Sequence, residues 1–97
     1  MAQYGVFRTS RGDYLLDCQS NFLDDLNTRF VVPLINAEEA PKVAARLNPA
    51  FAIDGQTLIM YTQFAATVPV IELRDYIVSL EQHRYEIMNA LDTLIGG

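Results

Sequence analysis

A chain of 97 residues supports one hydrophobic core and leaves no room for a second. Half of it (51%) is apolar, enough for a small globule that gains useful burial by pairing with another copy. Twelve carboxylates against seven basic residues give a formal net charge of −5, which argues against phosphate-backbone binding as the main activity and favours a protein partner.

In chain order, Gln3 to Arg8 and Tyr14 to Cys18 read as two strands joined by a Gly-containing connection of hairpin length. Arg11-Gly12-Asp13 in that connection matches an integrin-binding tripeptide, but Gly12 has an ordinary purpose in relieving backbone strain. Cys18, on an apolar strand, reads as a small core residue rather than a reactive thiol. A polar excursion follows, carrying Phe22 and Leu23 between Asn21 and the Asp24-Asp25 pair. Two large apolar residues among turn-formers either plug the end of the fold or are presented to a partner.

Arg29 to Leu34 reads as a strand covered on both faces around Phe30-Val31-Val32, with Pro33 ending it or placing it at an edge. Asn36 and Glu39 have capping-box spacing, but Pro41 limits the segment to one helical turn followed by irregular chain up to Pro49. The strongest local signal is Asp54-Gly55, which predicts a type I′ turn between strands Phe51–Ile53 and Gln56–Thr62. A loop over 63–67 then leads to a strand at Val68-Pro69-Val70-Ile71, again at an edge or corner because of its proline.

From Ser79 the period changes. Leu80, Arg84, Ile87, Leu91 and Leu94 form one helical stripe, widened by Met88 and Ile95, with Ser79 and Gln82 as a capping box and Gly96-Gly97 as the stop. No apolar run approaches the ~18 residues of a membrane span. The opening residues lack a secretory pattern and the single cysteine makes no internal disulfide, so a cytoplasmic protein is expected.

Candidate chemistry is sparse. His83 is the only histidine and lies far from Cys18 in sequence, so it makes neither a metal quartet nor an evident dyad; a surface or partner contact fits better. Asp24-Asp25 reads as a solvated turn before it reads as a cation site. There is no phosphate-cradling glycine loop, Gly-x-Ser-x-Gly or Cys-x-x-Cys, hence almost no support for an enzyme and no cofactor to expect. On these grounds alone the chain is a small, acidic, mainly β interaction module with a C-terminal helix.

Several stretches go further. Asp17-Cys-Gln-Ser20, Leu26-Asn-Thr-Arg-Phe-Val-Val-Pro-Leu34, Leu58-Ile-Met-Tyr-Thr-Gln63, Thr67-Val-Pro-Val70 and Arg84-Tyr-Glu-Ile87 leading into Ala90-Leu-Asp92 closely resemble the CcdB family of toxin–antitoxin toxins. The similarity runs in order over nearly the whole length, weakest over 36–48. It implies an SH3-like barrel, with an antiparallel sheet plus a small three-stranded sheet, a C-terminal α-helix, and a homodimer paired on that helix through Leu91 and Leu94. It also implies a non-catalytic activity: the dimer binds the A subunit of DNA gyrase and traps the DNA-cleaved complex. A disordered C-terminal segment of a cognate antitoxin neutralises the toxin, and the two together repress their own operon, so DNA is met only indirectly. Carried over by position, the gyrase-binding surface is Phe22 and Leu23 with Asp92, Ile95, Gly96 and Gly97. Well-known members close with a tryptophan, a glycine and an aliphatic residue, whereas this chain has no tryptophan. That leaves weaker gyrase binding, a contact supplied by Ile95 and Phe22, or a different target. The alternatives in function are an RNA-cleaving toxin of the MazF/Kid type, drawing on Arg29, Arg84 and His83 for proton transfer, and a relic that binds antitoxin but no longer poisons.

Overall fold

A computed structural model describes residues 2–96. It contains seven strands, β1 (Gly5–Arg8), β2 (Tyr14–Asp17), β3 (Thr28–Asn36), β4 (Ala50–Ile53), β5 (Gln56–Met60), β6 (Ala66–Pro69) and β7 (Asp75–Ser79), followed by helix α1 (Arg84–Ile95). All pairings are antiparallel, in the order β4-β5-β3-β2-β1-β7, with β6 added on β3. The result is a curled antiparallel sheet with one C-terminal helix, as the sequence predicts. The expected three-stranded sheet is present as the β4-β5-β3 wing, but it is continuous with the rest because β3 belongs to both parts.

β3 is longer than predicted, and Pro33 neither ends it nor makes it an edge. On one side, Val31 to Leu34 pair with β2. On the other, Thr28 to Val31 pair with β6 and Leu34 to Asn36 with β5. The Pro33 carbonyl accepts from the Tyr61 N–H (2.9 Å), so its donorless nitrogen faces that same side, at the gap between β6 and β5. No ladder bond is lost there, which is why a proline is tolerated inside a central strand.

The period-2 alternation of the strands separates two apolar clusters. Val6, Leu16, Val32 and Leu34 point to the main core, with Phe51, Ile53, Leu58, Met60, Leu80, Ile87 and Ala90. Phe7 and Val31, on the opposite parity, form a smaller cluster with Leu73. Cys18 is a buried core residue, and burial pushes its thiol pKa up to about 12.

The turns follow local chemistry. Asp54 and Gly55 both take positive φ (51° and 75°), as the Asp-Gly turn demands, and Gly12 sits at 89° in the β1–β2 connection. Asn36 starts only a turn: its Oδ1 accepts from the Glu38 N–H (2.9 Å), and no helix follows. A second turn comes later, where the Asn48 Oδ1 accepts from the Ala44 N–H (2.9 Å) and the Asn48 amide bonds the Met60 carbonyl (3.0 Å), pinning the segment to β5. The predicted strand at Val68–Ile71 lies two residues earlier, and Val70–Glu72 is a 3₁₀ turn instead. β7 has no counterpart among the predicted elements, although Tyr76-Ile77-Val78 has the β-branched and aromatic character of a strand.

The helix also begins later than expected. Ser79 Oγ accepts from the Glu81 N–H (3.1 Å) and opens a 3₁₀ turn, Glu81–His83, rather than forming a capping box with Gln82. Of the predicted stripe, Leu80 and Ile87 are buried and Leu91 is partly so, while Arg84, Met88, Leu94 and Ile95 are exposed. Gly96 continues the right-handed conformation (φ −82°) rather than adopting a left-handed cap. Its need for glycine is steric: a Cβ there would lie 2.6 Å from the Asp92 carbonyl oxygen.

Candidate partner-binding surface

Between β2 and β3 the chain makes a single 3₁₀ turn, Asn21–Leu23, that carries Phe22 fully into solvent (99% exposed) with Leu23 half out (49%). This removes the reading in which the pair plugs the end of the barrel. Ser20 starts the turn: its Oγ accepts from the Phe22 N–H (3.2 Å) and its carbonyl from the Leu23 N–H (3.0 Å). The Asn21 Oδ1 accepts from the Gln3 N–H (2.8 Å), tying the turn to the first residues of the chain.

Beneath it lies a buried polar network. Arg29, 1% exposed, directs Nε and Nη2 at one oxygen of Asp17 (3.0 and 2.7 Å) and Nη1 at Asp24 Oδ1 (2.9 Å). Burial opposes the charge on Arg29, but hydrogen bonds and ionic attraction from Asp17 and Asp24 more than offset it, so its pKa is raised and it stays a cation. Gln19, also buried, receives the Phe30 N–H on Oε1 (2.9 Å) and donates Nε2 to the Leu23 carbonyl (2.9 Å). Its own N–H donates to the second oxygen of Asp17 (3.1 Å). Every buried side-chain polar atom among the described residues has a hydrogen-bond partner.

The other predicted contact residues lie at the end of α1. Ile95 is 79% exposed, and Asp92 and Gly96 border a groove of about 440 Å³ with Arg46, Asn89 and Thr93. Gly97 lies outside the described residues. Among those described, no hydrogen bond or ion pair joins this tip to the Phe22 turn. Leu94 is 40% exposed, and Leu91 packs partly on the core. The turn Thr62–Phe64 packs beside α1 and leaves Phe64 exposed, an apolar neighbour the sequence did not flag.

The residues considered for proton transfer are not assembled into one site. Arg29 is enclosed by its two carboxylates. His83, half-buried, stacks on Phe51 with ring centroids 5.1 Å apart, and its Nδ1 lies 3.1 Å from Glu86. Arg84 pairs with Glu81 (3.6 Å) and lies over the Tyr85 ring. Asp24 of the acidic pair is engaged by Arg29, and no cluster of three or more metal-ligating side chains occurs among the described residues. Nor is any helix of the described residues long and apolar enough to cross a membrane.

The geometry is thus that of an exposed apolar turn seated on a buried, hydrogen-bonded polar base. A protein-family model, CcdB protein, matches residues 3–97. The chain belongs to the CcdB family. At the level of the family it is a toxin of a toxin–antitoxin system and a gyrase poison, with gyrase and an antitoxin as its partners. Among CcdB-family features, the resemblance led to Phe22 and Leu23, whereas Arg29, Asp17 and Gln19 were missed as the base of the surface. A signal for the first two did exist: an arginine and an aspartate on strands rich in buried residues require each other.

Proposed function

We propose that this CcdB-family protein acts without catalysis, as a homodimer that binds the A subunit of DNA gyrase and holds the enzyme in its DNA-cleaved state. Phe22 and Leu23, with Asp92, Ile95, Gly96 and Gly97, make the gyrase contact. A disordered C-terminal segment of the cognate antitoxin covers the toxin in the cytoplasm, and the pair represses its own operon, so that DNA is met only through the complex. The observation that carries this reading is the full exposure of Phe22 on a hydrogen-bonded turn in a chain of this family. An apolar ring standing fully in water gains burial in a partner's pocket, and the hydrogen-bonded turn beneath it leaves less backbone entropy to be lost on binding.

Pairing has its own support. Phe64, Leu91 and Leu94 lie on neighbouring elements, and among the described residues β6 pairs with β3 alone, which leaves its outer edge open. A two-fold axis there would join two apolar faces and double every contact residue. The burial of Arg29 weighs against RNA cleavage, since a guanidinium held by two carboxylates does not reach a substrate.

Expression in cells whose gyrase is either sensitive or toxin-resistant tests the reading. Growth arrest is expected only with the sensitive enzyme; equal arrest in both removes gyrase as the target. Phe22→Ala should leave stability within about 0.5 kcal/mol of wild type. It should weaken binding to a fragment of the gyrase A subunit by about 2 kcal/mol, or roughly 30-fold, in a calorimetric titration.

A further inference from the structure

Arg29 bridges two carboxylates with unequal surroundings. Asp17 is fully buried on β2, while the Asp24 side chain, at the end of the Phe22 turn, is 42% exposed. The Arg29–Asp17 contact therefore belongs to the sheet. The Arg29–Asp24 contact instead ties that sheet to the segment carrying Phe22 and Leu23. Gln19 makes a parallel tie through the Leu23 carbonyl, anchored at the Phe30 N–H.

We infer that Asp24 is a positioning residue: its pairing with buried Arg29 latches the 20–26 turn so that Phe22 and Leu23 are held in their outward, binding-ready arrangement. The chemistry requires a fixed partner on one side and a releasable one on the other. Arg29 cannot relax away because Asp17 holds two of its donors, so Asp24 is drawn to a defined point. Without that draw the turn keeps its bonds around Ser20 and its ties to Gln3 and Gln19 but loses its ionic anchor to the sheet, and it samples other conformers. The link to partner binding rests on the gyrase reading above; the ordering of the turn does not.

Asp24→Ala and Asp24→Asn separate the two. Because Asp24 is part-exposed and Asp17 still neutralises Arg29, both variants keep the fold. In Asp24→Ala, ¹⁵N order parameters over 20–26 should fall, and the Leu23 amide should exchange at least about tenfold faster, with strand amides unchanged. Asp24→Asn, which keeps an acceptor oxygen for Arg29 Nη1, should recover most of that order. With the binding-ready population reduced to roughly one fifth, the dissociation constant for the gyrase fragment should rise about fivefold in Asp24→Ala and recover in Asp24→Asn. An equally ordered turn in Asp24→Ala overturns the latch. A loosened turn that binds as tightly as wild type overturns its positioning role. If wild type ignores the fragment, the gyrase reading fails, and the order parameters alone still decide the latch.

Discussion

Arg29 is a cation in a place from which water is almost excluded, and it persists because its charge-assisted bonds to Asp17 and Asp24 are short and well directed. Removing one member of such a group costs more than the group contributes, since the remaining charge stays buried without compensation. Arg29→Ala strands Asp17 and should destabilise the fold by about 3–5 kcal/mol, measured by urea denaturation. In the sequence Arg29 looked available for chemistry because its strand was read but its facing partner was not. Register explains the pairing: Asp17 faces Val31, two residues from Arg29, so both charged side chains lie on the same side of the sheet. Phe22 and Leu23 were legible as anomalies, and their exposure needed the turn geometry. Gly96 was legible as a helix stop for the wrong reason. What it avoids is a collision with Asp92, which no propensity encodes.

At the scale of the element, α1 shows how far periodicity reaches. The apolar stripe from Leu80 to Ile95 is real, but the core takes up Leu80, Ile87, Ala90 and part of Leu91 and leaves the rest exposed. Periodicity counts apolar positions, whereas burial depends on what stands opposite. The uncovered remainder divides between Leu94, part of the face proposed for pairing with Leu91 and Phe64, and Ile95, proposed for the gyrase contact. The two halves of the stripe should therefore respond differently. Ile87→Ala should cost about 2–5 kcal/mol of stability in thermal or urea unfolding, through the cavity it leaves. Leu94→Asp should retain the helical circular-dichroism signal and shift sedimentation velocity from dimer to monomer. β7 and the 36–48 segment were the least legible elements. β7 opens on a charged residue, Asp75, next to Arg74, and the second is held by Asn48 bonding to β5, a long-range contact with no local signature.

For the whole molecule, the architecture was readable where turn chemistry and alternation agree, as in the Asp54-Gly55 hairpin; the two-sided pairing of β3 was not, because Pro33 argued for an edge. The titration of the interior gives a global test. Burial first, then the Asp17 charge, raises the Cys18 pKa from 9.0 to about 12. Tyr4 is raised above 10.0, mainly by burial. Both groups are neutral when protonated, and both bind their protons more tightly folded than unfolded. Their contribution is thus complete below the unfolded values and lost as pH climbs through the folded ones. Unfolding free energy should decline from about pH 9 toward pH 12, and Cys18→Ala should flatten that decline. Native protein at about pH 8 should also resist thiol alkylation until unfolded.

Because β3 is a seam common to three neighbours, a slip of a single residue along it would turn Val31 and Val32 inside out against β2, β5 and β6 at once. Such a strand has no affordable alternative alignment. Neither wing can therefore detach while the other stays intact, and the toxin should melt as one cooperative body rather than unravel from an end.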